Sequence, residues 1–182
     1  LRMLAHYMKD EDYVKEVIEG DIHTKNQIAA GLQTRPQAKT FIYAFLYGAG
    51  AAKIGSIVGG GAREGETLIK SFLDNTPALK TLRTKVERMA EKGYLPGLDG
   101  RKLFVRSAHS ALNTLLQGAG AIVMKQAMII LDGKIRKEKL DAHFVVNVHD
   151  EWQLEVLEKD AERVGQLAVE SLEETTKELD LF

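Results

Sequence analysis

The chain has 182 residues, 45% of them hydrophobic and 28% charged, with a formal net charge of −1 and no cysteine. That suits the core of roughly one domain on a norm of ~100–200 residues and leaves no room for a large multidomain machine. The lack of cysteine excludes disulfide scaffolds, Cys-ligated zinc or iron–sulfur centres and thiol nucleophiles, and the near-neutral balance argues against nucleic-acid binding by global charge while leaving a local groove open.

From Leu1 to Glu19 the apolar spacing predicts two short helices broken at Lys9-Asp10-Glu11-Asp12. Asp21 or Thr24 can cap a third, running to Leu32. Thr34-Arg35-Pro36 reads as the start of a helix that stops at Gly48-Ala49-Gly50, since proline is tolerated in a first turn. Glycines at 55, 59, 60, 61 and 65 divide the next stretch, with Gly59-Gly60-Gly61 as a flexible turn. One helical pattern then runs through Phe72, Leu79, Leu82 and Val86 to Gly93. A turn at Gly97-Leu98-Asp99-Gly100, a short strand at 102–106 and a long helix from Ser110 to Ile130 follow, the last with small residues 118–121 suited to close packing. Residues 143–156 alternate as a hairpin bent at His149-Asp150, with Phe144, Val146 and Val148 on one face, and an acidic amphipathic helix covers 159–179. No run approaches the ~18 apolar residues of a membrane span, so no membrane partner is expected. Leu1-Arg2-Met3-Leu4 lacks a signal-peptide layout, and the chain reads as an internal piece of something longer.

Arg35, Lys39, Tyr43 and Tyr47 recur every four residues and therefore share one helix face. Two cations at the positive end of the helix dipole, followed by two phenols, suit a polyphosphate with a flat group stacked beyond it. The same spacing also fits an exposed basic turn that continues into aromatic core residues. Asp150 and Glu151 place adjacent carboxylates at the hairpin turn, a donor type that suits Mg²⁺ when substrate phosphates complete the shell, although both could be plain turn residues. Asn113 and Gln117, four apart on the long helix, can donate and accept and so could read minor-groove acceptors; Arg106 and His109 lie just before them. His23 could donate to a phosphate. Gly48-Ala49-Gly50-Ala51-Ala52-Lys53 lacks the glycine that a phosphate-binding Walker loop needs before its lysine.

In order, these features resemble family A, polymerase I-like DNA polymerases, most closely those of T-odd phages. Arg35 to Gly48 matches the fingers-helix pattern R-x3-K-x3-[FY]-x3-Y-G, and Val148-His149-Asp150-Glu151 matches the palm hairpin motif. Gly97 to Lys102, Val105-Arg106-Ser107 and Asn113 to Gly120 resemble the helix region that tracks the primer–template, and Gly20 to Ala30 is similar to the phage group. The resemblance implies an α+β, mainly helical fold with a hairpin that carries catalytic carboxylates. It implies a palm remnant over 1–19, fingers over 20–96 and a carboxyl-terminal palm portion over 97–182.

The implied activity is two-metal addition of deoxynucleotides to a primer 3′ hydroxyl in phage DNA replication, in the cytoplasm of an infected cell. His23, Arg35 and Lys39 would contact the triphosphate, with Lys39 also catalytic. Tyr43 would lie against sugar and base, implying weak discrimination against dideoxynucleotides, and Tyr47 would guard the template position. Asp150 would hold the two Mg²⁺ ions with Glu151 beside it; His149, Arg106, Asn113 and Gln117 would contact DNA. Leu1-Arg2 resembles the end of the D-x-S-x-x-E-L-R motif that carries the other metal aspartate, so the 182 residues alone are expected not to polymerise, and the end at Phe182 reads as premature. A processivity factor would bind through upstream sequence. A single-subunit RNA polymerase and a non-catalytic DNA- or nucleotide-binding module are the competing readings.

Overall fold

Capping chemistry decides where the first helices begin. In the computed structural model, which describes residues 1–181, α1 (Arg2–Met8) ends as Lys9 turns left-handed at φ 51°. Asp10 then opens α2 (Glu11–Ile18) by accepting the Tyr13 amide hydrogen bond at 3.0 Å. Asp21 caps α3 (Ile22–Ala30), accepting from the amides of His23 and Thr24. Thr34 and Gln37 form a reciprocal capping box at the start of α4 (Arg35–Leu46), with Pro36 in its first turn. The break, the third helix and the fourth thus follow the local chemistry read from the sequence.

After α4 come α5 (Ala51–Gly55), a 3₁₀ turn at Ser56–Val58 and α6 (Ala62–Asn75). Gly61 is not a loose turn residue, because its amide donates to Glu64 Oε2 at 2.7 Å and so caps α6. The single helix expected through Phe72 and Val86 is two helices, since α7 (Pro77–Ala90) starts afresh at Thr76-Pro77. Pro77 has no N–H to donate and its ring clashes with the preceding turn, so it can only begin a helix there. The strand expected near 102–106 is β2 (Lys102–Phe104), paired with β1 (Tyr94–Pro96), a segment too short to carry a period of its own.

The long helix α8 (Ala111–Glu138) outruns its expected end at Ile130 by eight residues, because Leu131 and Ile135 continue its buried stripe until Lys139 turns left-handed. Its length corrects one expectation. Residues 108–138 include an 18-residue window of mean hydropathy 1.4, long and apolar enough to cross a membrane on composition alone. Along the same helix Leu112, Leu115, Ala119, Ile122 and Leu131 are buried, Lys125 lies midway and Ile129 is 63% exposed.

β3 (Ala142–Val148) and β4 (Glu151–Val156) form the expected antiparallel hairpin, followed by α9 (Ala161–Glu178). A bulge at Val145 alters its faces. Phe144 pairs with Leu154, but Asn147 pairs with Trp152 and Val148 with Glu151. Beyond the bulge Asn147 therefore shares the face of Phe144 and Trp152, and its amide lies 3.8 Å from Met128 Sδ. Val146 and Val148 pass to the other face, and Val148 is 50% exposed. An inserted residue shifts a period of two by one, which strict alternation in sequence cannot reveal.

The chain divides into two compact units. One comprises Leu1–Leu95 and Lys102–Leu116; the other comprises Pro96–Arg101 and the chain from Gln117 onward. The first is centred on Phe41, Phe45 and Phe72, with Phe72 edge-on to the other two rings at 5.1 and 5.5 Å, geometry that favours the ring quadrupoles. The second is built on Leu131, Ile135, Ala142, Val164 and Leu167, flanked by Phe144 edge-on to Trp152. The expectation about Phe182 lies outside the described residues.

Candidate functional site

Helix α4 buries Ala38, Phe41, Ile42 and Phe45 and turns Arg35, Lys39, Tyr43 and Tyr47 outward. Tyr43 is 40% and Tyr47 58% exposed, so the phenols are not core residues and the spacing of four describes a continuous outward stripe. The helix is held by the box at its amino end and by Gly48 at its carboxyl end. Gly48 has φ +76°, and a Cβ there would lie 2.3 Å from the His109 carbonyl oxygen. Only glycine satisfies both demands, which gives the Tyr-Gly ending of the stripe a structural reason.

Beside the stripe lies the first turn of α3. Arg35 Nε donates to Asp21 Oδ2 at 2.7 Å and Nη2 donates to Oδ1 at 3.1 Å, a two-pronged ion pair. The Thr24 hydroxyl also donates to Oδ2, at 2.8 Å. The Arg35 guanidinium and then the Thr24 hydroxyl hold the Asp21 carboxyl well below the usual carboxylate range, and Asp21 in return raises Arg35. Both side chains remain about half exposed, so the pair fixes geometry more than it adds stability.

The His23 ring is tilted by 53° against Tyr43 with centroids 6.2 Å apart, and its buried Nδ1 has no hydrogen-bond partner. Burial, then the positive charge of Arg35, lowers its pKa, which favours the neutral ring at pH 7. His23, Arg35, Lys39, Tyr43 and Tyr47 thus form one surface in the first unit. Sequence reading assigned Asp21 only a capping role; its pairing with Arg35, fourteen residues away, carries no local signal.

In the second unit, Asp150 and Glu151 stand exposed at the hairpin end, with Glu151 Oε1 accepting from Gln153 Nε2 at 2.9 Å. The turn is strained: His149 has φ 52°, a region that costs a non-glycine residue about 1–3 kcal/mol. On α8, Asn113 is half-buried and Gln117 exposed, while Leu112 just before them and Leu115 between them are buried. Gly120 does not pack closely, since among the described residues nothing lies within 4 Å of where its Cβ would be. Arg106 is exposed just after β2.

The profile of DNA polymerase family A matches residues 1–181. The chain belongs to that family. Family A relatives include the DNA-directed DNA polymerases of Escherichia phage T7, 43% identical over 97% of this chain and 28% of the relative, and of Escherichia phage Phieco32, 44% identical over 91% of this chain and 33% of the relative. DNA polymerase I of Geobacillus stearothermophilus is 30% identical over 96% of the chain and 22% of its own length. This family A chain therefore spans a third or less of those relatives. Its fold matches the POL domain of Pol1 from M. smegmatis, solved in complex with DNA primer-template and dNTP, with a TM-score of 0.84 over 96% of this chain and 35% of that one at 24% identity. The expected α+β, mainly helical fold and the family A resemblance both stand.

Proposed function

We propose that this chain supplies the nucleotide-selecting fingers and the carboxyl-terminal palm of a DNA-directed DNA polymerase, which adds deoxynucleotides to a primer 3′ hydroxyl during phage DNA replication in the host cell. The observation that carries the reading is the outward stripe Arg35, Lys39, Tyr43 and Tyr47 with His23 against it. Arg35 and Lys39 lie at the amino-terminal end of α4, where the helix dipole adds to their charge, and they take the triphosphate and the pyrophosphate leaving group. Neutral His23 donates one hydrogen bond to the same phosphates. Tyr43 packs on the sugar and base, and Tyr47 limits the template position. Because α4 and its C-terminal cap Tyr47 carry all four outward side chains along one helix axis, movement of the helix over a correct pair delivers them together.

Asp150, seconded by Glu151, is the residue that holds Mg²⁺. The donor set fits half of such a site: two exposed carboxylates stand at the turn, and among the described residues no group of three or more His, Cys, Asp or Glu is placed to hold an ion. Magnesium commonly takes only one or two protein carboxylates and completes its shell with phosphates and water. When bound, a pair of such ions lowers the barrier by activating the primer hydroxyl and neutralising charge on the phosphates. Asp150 anchors them, and His149, fixed in its strained turn, contacts the primer end. Asn113 and Gln117 test the minor-groove edge of the new pair, where correct pairs present acceptors in nearly the same place, and Arg106 contacts the DNA backbone.

Residues 1–19 and 97–182 form the palm part and 20–96 the fingers. The names of the phage relatives favour deoxyribonucleotide polymerisation over an RNA polymerase or a non-catalytic module. Primer extension by the full-length gene product with Mg²⁺ tests the reading. Asp150→Ala is expected to lower kcat by at least about 10³-fold while leaving primer–template affinity near its original value, since a metal anchor acts mainly in the transition state. Extension that survives this substitution would refute the role.

A further inference from the structure

Arg35 is a long, exposed side chain in the first turn of α4, and such a residue samples many rotamers unless something holds it. Asp21 does so with an unusually complete set of bonds. Its Oδ1 accepts from the His23 amide at 3.1 Å, the Thr24 amide at 3.4 Å and Arg35 Nη2 at 3.1 Å. Its Oδ2 accepts from the Thr24 hydroxyl at 2.8 Å and Arg35 Nε at 2.7 Å. The carboxylate is thus locked to the start of α3 before it meets the guanidinium, and cannot turn to follow an arginine that moves away.

Which edge of the guanidinium Asp21 uses is informative. A guanidinium has a side fork made by Nε and one Nη, and an end fork made by the two Nη groups. Asp21 occupies the side fork only. Nη1 and the second hydrogen of Nη2 have no partner among the described residues, so the end fork stays available for a second anion. The two-pronged pair fixes the plane of the guanidinium as well as its position, because both prongs must remain aligned.

We propose that Asp21 is a positioning residue for nucleotide recognition, holding Arg35 by its side fork so that the end fork is presented, already ordered, to the triphosphate. The proposal rests on the reading of Arg35 as a triphosphate contact. It makes Asp21 part of the recognition apparatus although it carries the same sign of charge as the ligand. The gain comes from ordering Arg35 in advance, so that nucleotide binding no longer has to immobilise it.

Asp21→Asn separates this role from simple capping, because asparagine is an equally good amino-terminal cap but cannot make the two-pronged charged pair. In primer extension by the full-length gene product, Asp21→Asn is expected to raise KM for the deoxynucleotide about three- to tenfold, with kcat within about twofold and a thermal midpoint lowered far less than in Asp21→Ala. Calorimetric titration with inorganic tripolyphosphate should show weaker binding by the same factor, whether or not the protein extends primers. Asp21→Ala should show the same binding defect together with a lowered thermal midpoint, because it also removes the cap. An Asp21→Asn protein with unchanged or lower KM and unchanged or tighter tripolyphosphate binding would overturn the proposal, as would a wild-type protein that extends primers but does not bind tripolyphosphate. A wild-type protein that binds tripolyphosphate but extends no primer would instead refute the polymerase reading and leave the positioning role of Asp21 to be judged by the titration.

Discussion

At the residue scale, His23 shows how a local environment sets a protonation state. Burial and the neighbouring Arg35 both disfavour the imidazolium, and Asp21 only partly opposes them. The sign follows from linkage. A histidine whose pKa is lower folded than unfolded binds fewer protons in the folded state, so stability is fully present above the unfolded pKa of about 6.5 and declines as pH falls through it toward the folded value. Denaturant unfolding at pH 7.5 and 5.5 should therefore show a loss of stability at the lower pH that is smaller in His23→Gln. An equal loss in both proteins would mean that other groups carry the pH dependence. Asp21 behaves in the opposite region: its lowered pKa contributes stability above about pH 4, which is lost only under stronger acid.

At the element scale, α5 and α6 meet where neither has a side chain. A Cβ on Gly65 would lie 1.8 Å from the Ala51 carbonyl oxygen, and one on Gly55 would lie 1.8 Å from that of Gly61. The obstructing atoms are backbone in both cases, so no rotamer change can relieve them. Gly65→Ala is expected to destabilise the protein by about 2–4 kcal/mol in denaturant unfolding, at the upper end for a single overpacked site. A loss below about 0.5 kcal/mol would show that α5 and α6 separate freely.

The break at Lys9–Asp12, a cap at Asp21, the helix start at Thr34 and the four-residue stripe on α4 were legible, because each depends on residues within one turn of one another. The pairing of Asp21 with Arg35, the contact of Gly48 with the His109 carbonyl and the bulge at Val145 were not, since each depends on segments brought together only by folding. The break at Pro77 was legible in principle: the apolar spacing on either side hid a residue that cannot continue a helix.

For the whole molecule, the net charge of −1 conceals a strong asymmetry. From Asp150 onward lie three of the 25 Lys and Arg residues but eleven of the 26 Asp and Glu, so the rest of the chain carries a clear positive excess. Part of the acidic surface is internally satisfied, as Lys134 pairs with Glu170 and Glu174 and Arg163 with Glu138 and Glu170. In the polymerase reading the positive remainder meets phosphates, and binding then depends on salt through counterion release. Anisotropy with a labelled primer–template should show affinity falling steeply between about 50 and 200 mM salt. Arg106→Ala should weaken binding similarly on all sequences and reduce the salt slope by about one, as expected for a single lost phosphate contact. An unchanged slope would remove Arg106 from the DNA surface.

The two-residue connection between β3 and β4 leaves the Asp150 carboxylate no slack. Its place is set by strand register on both sides and by a backbone already forced to positive φ at His149. One added residue in the turn would displace the carboxylate by up to about 3.4 Å, the rise of a single strand residue, whereas reacting groups lose their advantage over errors of about 1 Å. In the polymerase reading the hairpin works as a gauge of fixed length: its arms absorb the bulge at Val145, while an insertion or deletion at its tip would move the proposed metal anchor.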